Sequence, residues 1–439
     1  MLPASSSDRR GTRPWLTALL LAALVLRLAW ALAQPVDDDA IDRLPDQREY
    51  LALGQNLLHG QGLKFFDTRF ADEVWAYRTP GYPLLVTACG GGVRAVRVAQ
   101  AFIDTSTVLA VYLLARRWLR PGASLVAGAL VAFNPFLIYF TGLILSETLF
   151  TALLAWGMFL LVGRQHEPEA AAGWGSTLRW LTGVVVLALS VLVRQSGIGL
   201  PLALGVAGAV ANRAGGTPYH RRWPLPVGAT VVLVTFLVLL PWAWRNDRVL
   251  GEWVWTATNG GITLYDGFNP DATGASDQRF VAGMPELRRM GEVGRSEYLS
   301  GLAKQFIRRQ PRRAAELAIV KAGRTWSPVP LSQEYGGWKY RTVGLLYTLP
   351  LDVLVVLGLL RGSSGGGGLP PAAKVFLLLP AIYFTAVHML SVGSLRYRVP
   401  SEPPMAVVAA SVAALPAASF RRSGRGFSVD PEDVPPESD

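Results

Sequence analysis

The chain has 439 residues, 51% of them hydrophobic and only 17% charged, with 42 lysines and arginines against 31 acidic residues. A soluble protein of this length needs more polar surface, and the lone cysteine, Cys89, excludes a disulfide framework and a cysteine metal site. The net charge of +11 does not mark a nucleic-acid binder, because the basic residues sit beside long apolar blocks, as the positive-inside rule places them.

In chain order, Arg9, Arg10 and Arg13 precede an apolar run over about 15–34 that reads as the first of ten spanning helices. Ala31-Leu32-Ala33 has the small residues of a cleavage site, but the many spans that follow favour an uncleaved helix. Asp37–Pro83 is then expected outside. It opens with Asp37, Asp38, Asp39, Asp42, Asp46 and Glu49 and continues as an amphipathic helix, with Tyr50, Leu53, Leu57 and Leu58 at helical spacing. His59-Gly60-Gln61-Gly62 stops that helix, and Arg78-Thr79-Pro80-Gly81-Tyr82-Pro83 is a turn cluster. Tyr82–Gly92 is apolar but too short to span and reads as an interfacial helix.

Six spans follow, over about 97–115, 122–141 (broken near its end by Asn134-Pro135), 146–163, 177–193, 196–211 and 224–244. Residues 245–339 form a second outer region, with a turn-rich stretch over Thr258–Gly274 and an amphipathic helix over about Ser296–Lys321. The last spans fall at about 341–360, 375–393 and 404–419, with a flexible Gly362–Gly368 linker after the first of them. The Pro- and acid-rich tail within 421–439 is expected to be disordered. This path puts Arg116-Arg117, Arg221-Arg222, Arg421-Arg422 and both termini in the cytoplasm. It divides the chain into a catalytic membrane module at 1–244 with the outer loop 35–83, the outer region 245–339, and the C-terminal spans at 340–420.

The outer segments carry Asp46, Tyr50, Asn56-Leu57, Gly60-Gln61-Gly62 and the Arg78–Pro83 cluster, then Gln100 and Leu145-Ser146-Glu147. Further on come Pro241-Trp242, Arg245-Asn246, Thr258-Asn259-Gly260-Gly261, and His388 with Arg396-Tyr397-Arg398-Val399-Pro400. Their order and placement resemble the polyprenyl-phosphate-dependent glycosyltransferases of the GT-C fold. The nearest group is glycosyltransferase family 39, with the protein O-mannosyltransferases and the lipid A aminoarabinose transferase. The resemblance implies an all-α integral enzyme of the cell (inner) membrane. Such an enzyme takes a sugar from a polyprenyl-phosphate-linked donor at its outer face and passes it, with inversion, to an extracytoplasmic lipid, glycan or protein. Membrane lipid is an implied partner and nucleic acid is not. Many relatives carry Asp-Glu together in the first loop. Here Gln47 follows Asp46, which leaves open whether Glu49 takes the second acid's place.

Asp46 is the expected general base, since an attacking hydroxyl needs a carboxylate within reach of its proton. The bland alternative is a capping box of Asp46 with Glu49. Asp37, Asp38, Asp39 and Asp42 read as a solvated run. Glu147 is expected to contact substrate or a divalent metal, or else to serve as first-turn charge after Ser146. Arg194, Arg396 and Arg398 at outer membrane edges suit a lipid phosphate, against ordinary snorkelling. His388 is a candidate for metal or phosphate contact, against a packed imidazole. Asn259, Tyr265 and Asp266 are candidate sugar contacts. Arg27, inside the first span, needs a partner, and a loop carboxylate is expected. Two rivals remain: a lipid or sugar transporter, which predicts repeated halves and mid-helix charges, and a non-catalytic subunit of envelope polysaccharide assembly.

Overall fold

Proline fixes where many of the helices begin, and those starts decide which side chains reach the site. The computed structural model describes residues 6–163, 174–214, 225–331, 337–362 and 368–413. Arg221-Arg222, Arg421-Arg422, the C-terminal tail and most of the glycine linker lie outside the described residues. Helix α1 (Ser6–Ala33) leads to α2 (Asp38–Asp42) and α3 (Pro45–Leu58). Pro45 occupies the first turn of α3, where a missing N–H costs nothing, and Gly60 adopts φ 75° just past its end. A hairpin absent from the all-α expectation comes next. Strand β1 (Phe65–Asp67) pairs antiparallel with β2 (Asp72–Val74), placing Phe66 opposite Glu73. Helix α4 (Gly81–Ala88) stands where the interfacial helix is expected.

The bundle continues through α5 (Val93–Ala115), α6 (Pro121–Ala132), α7 (Pro135–Thr141), α8 (Glu147–Leu161), α9 (Trp174–Val191), α10 (Leu200–Ala214) and α11 (Val227–Leu250). Helix α11 passes the expected end at 244 and stops where Gly251 takes φ 74°. The outer region holds α12 (Gly260–Gly267), α13 (Glu292–Arg309) and α14 (Pro311–Thr325). The single amphipathic helix expected over 296–321 is thus two, because Pro311 cannot continue α13 and instead starts α14. Helices α15 (Trp338–Leu360), α16 (Pro371–Met389) and α17 (Glu402–Ala410) complete the chain.

This is a multi-pass membrane protein. Among the described residues six helices are long and apolar enough to cross a membrane, or seven when α6 and α7 count as one span bent by 51°. The expected ten is not confirmed among the described residues: α8 and the apolar part of α9 are short, and α17 has nine described residues. The bend falls at Asn134-Pro135, as the sequence reading has it. Backbone groups freed inside a membrane must find partners in the protein. The Tyr347 hydroxyl donates to the Leu130 carbonyl at 2.9 Å, and Arg27 donates to those of Val131 and Ala132 at 3.1 and 2.8 Å. Arg27 also pairs with Asp104 on α5 at 2.6 Å, so its partner is a helix carboxylate and not the loop acid expected. Asn134 caps α7 through the N–H groups of Phe136 and Leu137 and donates to Glu402 at 2.6 Å.

Buried apolar side chains form two clusters. One fills the helix bundle; the other joins Leu53, Phe65, Phe70, Val74 and Tyr77 of the first outer segment to Ile262, Phe268, Leu299 and Leu317 of the second. Outer segments far apart in sequence therefore share one core. Gly261 and Gly267 permit this approach, since a Cβ at either would run into a carbonyl oxygen, of Ser296 or Ser391 respectively.

Candidate active site

Where the two cores meet lies a cavity of about 1860 Å³, lined among others by Asp46, Arg78, Arg194, Asn259, Asp266 and Arg396. Asp46, Arg78, Arg194 and Arg396 of its lining belong to an alternating row of guanidiniums and carboxylates that continues behind the wall. Asp46, in the first turn of α3, accepts from Arg78 at 2.6 Å and from Arg396 at 3.1 Å. The cap residue of that helix is Leu44, with no side-chain cap bond, so the capping box does not form. Glu49, one turn on, accepts from Arg78 at 2.5 Å and from Arg69 at 3.3 Å. Glu147, 1% exposed at the start of α8, receives both Arg194 and Arg396 at 2.7 Å on the same oxygen. The row thus runs Arg69, Glu49, Arg78, Asp46, Arg396, Glu147, Arg194.

The two acids on α3 are driven apart electrostatically. Burial acts to raise Asp46, but the Arg78 and Arg396 guanidiniums outweigh it and hold the carboxyl well below the usual range. For Glu49 burial wins over Arg78, with Asp46 adding to the push, and the carboxyl rises. Neighbouring carboxylates with opposed shifts are the arrangement in which acid and base roles separate.

The other expected site residues are not all gathered here. Arg194 and Asn259 line the cavity, and Gln195 makes a short hydrogen bond to Asn259. Arg398 does not join them. It is 1% exposed and bonds Glu402, Thr348 and the Ser327 carbonyl at 3.0, 2.8 and 2.9 Å, tying α17 to α15. Tyr265 turns into the outer core, edge-on to Phe280 at 4.9 Å, and its neighbour Asp266 faces the cavity instead. His388 lines the cavity but lies flat on Tyr397 at 3.8 Å, with Nδ1 3.0 Å from the Ser391 hydroxyl. Two guanidiniums already hold Glu147, and among the described residues no three His, Cys, Asp or Glu side chains gather as ligands.

Sequence reasoning passed over three parts of the site. Arg78 opens the turn cluster that carries part of the resemblance, but the sequence reading gives it no role of its own. Arg69 lies in the hairpin turn, which nothing in the sequence pattern announced. Glu292, the first residue of α13, accepts the N–H groups of Trp75 and Ala76 at 2.6 and 3.0 Å and the Thr258 hydroxyl, so it clamps the strand leading to Arg78 against the loop leading to Asn259.

The fold is the GT-C glycosyltransferase fold of membrane enzymes. It superposes on the oligosaccharyltransferase AglB of Archaeoglobus fulgidus, solved with an inhibitory peptide and a dolichol-phosphate, with a TM-score of 0.54 at 13% identity over 91% of this chain and 50% of that one. An Archaeoglobus fulgidus oligosaccharyltransferase tethered to an acceptor peptide gives 0.53 at 15% identity, again over 91% of this chain and 50% of that one. A family described as dolichyl-phosphate-mannose-protein mannosyltransferase matches residues 84–242. The undecaprenyl phosphate-alpha-4-amino-4-deoxy-L-arabinose arabinosyl transferase of Pseudomonas aeruginosa is 30% identical over 217 residues, taking in 46% of this chain and 36% of that protein. The chain therefore spans about a third of this curated relative and half of the solved one.

Proposed function

We propose that the protein transfers a glycosyl group from a polyprenyl-phosphate carrier to an acceptor outside the cytoplasm. Asp46 acts as general base, and Arg396 with Arg194 holds the donor phosphate. The observation that carries this reading is Arg396, whose guanidinium bridges Asp46 and Glu147 at the cavity wall. A phosphate entering there offers a planar fork the oxyanion geometry it matches and draws it from Asp46. Between two guanidiniums Asp46 is ionised but a weak base; losing one of them raises its proton affinity as the acceptor arrives.

In the step itself the acceptor oxygen bonds C1 of the sugar while the bond from C1 to the phosphate oxygen breaks. The hydroxyl proton passes to Asp46, and the electron pair of the broken bond stays on the lipid phosphate beside Arg396 and Arg194. One displacement inverts the anomeric centre. Glu147 holds both arginines from behind and is a positioning residue. The similar proteins support the donor class: the Pseudomonas aeruginosa enzyme is an undecaprenyl phosphate-aminoarabinose arabinosyl transferase, and AglB was solved with a dolichol-phosphate.

Binding of undecaprenyl phosphate to the full chain in nanodiscs tests the phosphate site. Arg396→Ala should weaken it about tenfold or more, the loss of a charge-assisted hydrogen bond. Unchanged affinity in both Arg396→Ala and Arg194→Ala would remove these residues from the donor site.

A further inference from the structure

We infer that the acceptor is a neutral carbohydrate, held by its hydroxyls where Gln195 with Asn259 and Gln278 with Asp266 line the cavity. The inference rests on the glycosyl-transfer reading above. A single small ligand fills about 300–1,000 Å³. The cavity of about 1860 Å³ therefore has room for a donor headgroup and a second ligand of comparable size.

The chemistry of this part of the wall is that of hydroxyl recognition. Asn259 accepts from Gln195, which leaves Asn259 Nδ2 as a donor and Gln195 Oε1 as an acceptor with no hydrogen bond among the described residues. Asp266, 2% exposed, takes the Ser276 hydroxyl at 2.6 Å and the Asp277 N–H at 2.8 Å, and retains lone pairs on both oxygens. Amide and carboxylate edges of this kind suit the alternating donors and acceptors of adjacent sugar hydroxyls.

Two other acceptor classes are the alternatives the test separates. At this part of the wall an anionic acceptor would meet Asp266 and Asp277, with Arg324 and Lys339 as cations elsewhere on the lining. An extended peptide needs unpaired backbone groups to pair with. Beside this wall the Thr258 N–H donates to Ala76, and at the start of α12 the Thr263 N–H donates to Asn259. The wall is also one side chain from the base cluster, because Arg69 donates to Gln278 at 2.5 Å and to Glu49 at 3.3 Å.

The test is saturation-transfer NMR on the full chain in nanodiscs. The probes are neutral mannan, galactan and arabinan oligosaccharides, a neutral Ser/Thr-rich heptapeptide, and a bisphosphorylated disaccharide. At least one neutral oligosaccharide should bind. Asn259→Ala and, separately, Gln278→Ala should weaken it about tenfold, the cost of one lost hydrogen bond in a partly dry site. Binding of undecaprenyl phosphate is measured alongside on monodisperse samples and should stay within about twofold, since neither side chain touches the arginines that hold phosphate. The inference is overturned when no oligosaccharide binds, when binding ignores both variants, or when the peptide or the bisphosphate occupies the site in its place. Failure of undecaprenyl phosphate to bind the unaltered protein counts instead against the glycosyl-transfer reading, so the two failures are distinguishable.

Discussion

Asp46 and Glu49 lie one turn apart on α3, yet their surroundings give them opposite tendencies. Arg78 serves both, and Arg396 reaches only Asp46. Asp46, held low by its two guanidiniums, stays ionised through any ordinary assay range. Glu49, raised by burial, takes up a proton first as pH falls, which removes one of the two acids that fix Arg78. The acid limb of kcat/KM for transfer should therefore follow Glu49 and lie above the ordinary glutamate range. Glu49→Gln should flatten that limb while lowering the plateau. A limb that persists unchanged in Glu49→Gln would assign it to another group. Sequence reasoning could single out Asp46 and Glu49 because both fall in the acidic first outer loop that carries the resemblance. It could not choose between Arg396 and Arg398, two residues apart in one turn. Only packing separates them: the first faces the cavity, while the second is consumed by Glu402 and Thr348.

At the scale of elements, apolar blocks and prolines were legible, because both signals are local. The α6–α7 break could be read from Asn134-Pro135, and α3 from its leucine spacing. The split of α13 from α14 was equally written in Pro311, but the amphipathic period runs across it and masked the stop. The hairpin could not be read: its strands are three residues each, too short for a period-2 signal. That omission mattered, since the hairpin turn carries Arg69. Glu292 was hidden for a different reason. A carboxylate at a helix start reads as dipole charge, and its grip on Trp75, Ala76 and Thr258 arises from contacts about 217 and 34 residues away in sequence.

For the molecule as a whole, the sidedness of the cavity follows from charge placement at the helix ends. We propose that both termini are cytoplasmic and that Asp37–Pro83 and residues 245–339 lie outside, so that the cavity opens on the outer face. The exposed Trp244, Trp253 and Trp338 cluster at the expected outer ends of α11 and α15, where interfacial tryptophans belong. In a background with Cys89 replaced, cysteines at the exposed Asp39 and Arg289 should react with an impermeant thiol reagent on intact cells or spheroplasts. Reaction only after lysis would invert the topology. The shared outer core makes the arrangement one of a single site between bundle and outer segments, which no segment of sequence could display alone.

The central claim is that Asp46 takes the acceptor's proton. Its most direct test is the turnover of Asp46→Asn with a polyprenyl-phosphate sugar as donor, in protein matched for abundance and membrane insertion. The asparagine keeps the size of the side chain and its one oxygen can still accept from Arg78 or Arg396, but it cannot act as a base. Transfer should fall about 10²-fold or more while undecaprenyl phosphate still binds, and Asp39→Asn in the exposed acidic run should change little. Near-normal turnover by Asp46→Asn, with loss in Glu49→Gln or Glu147→Gln instead, would contradict the account.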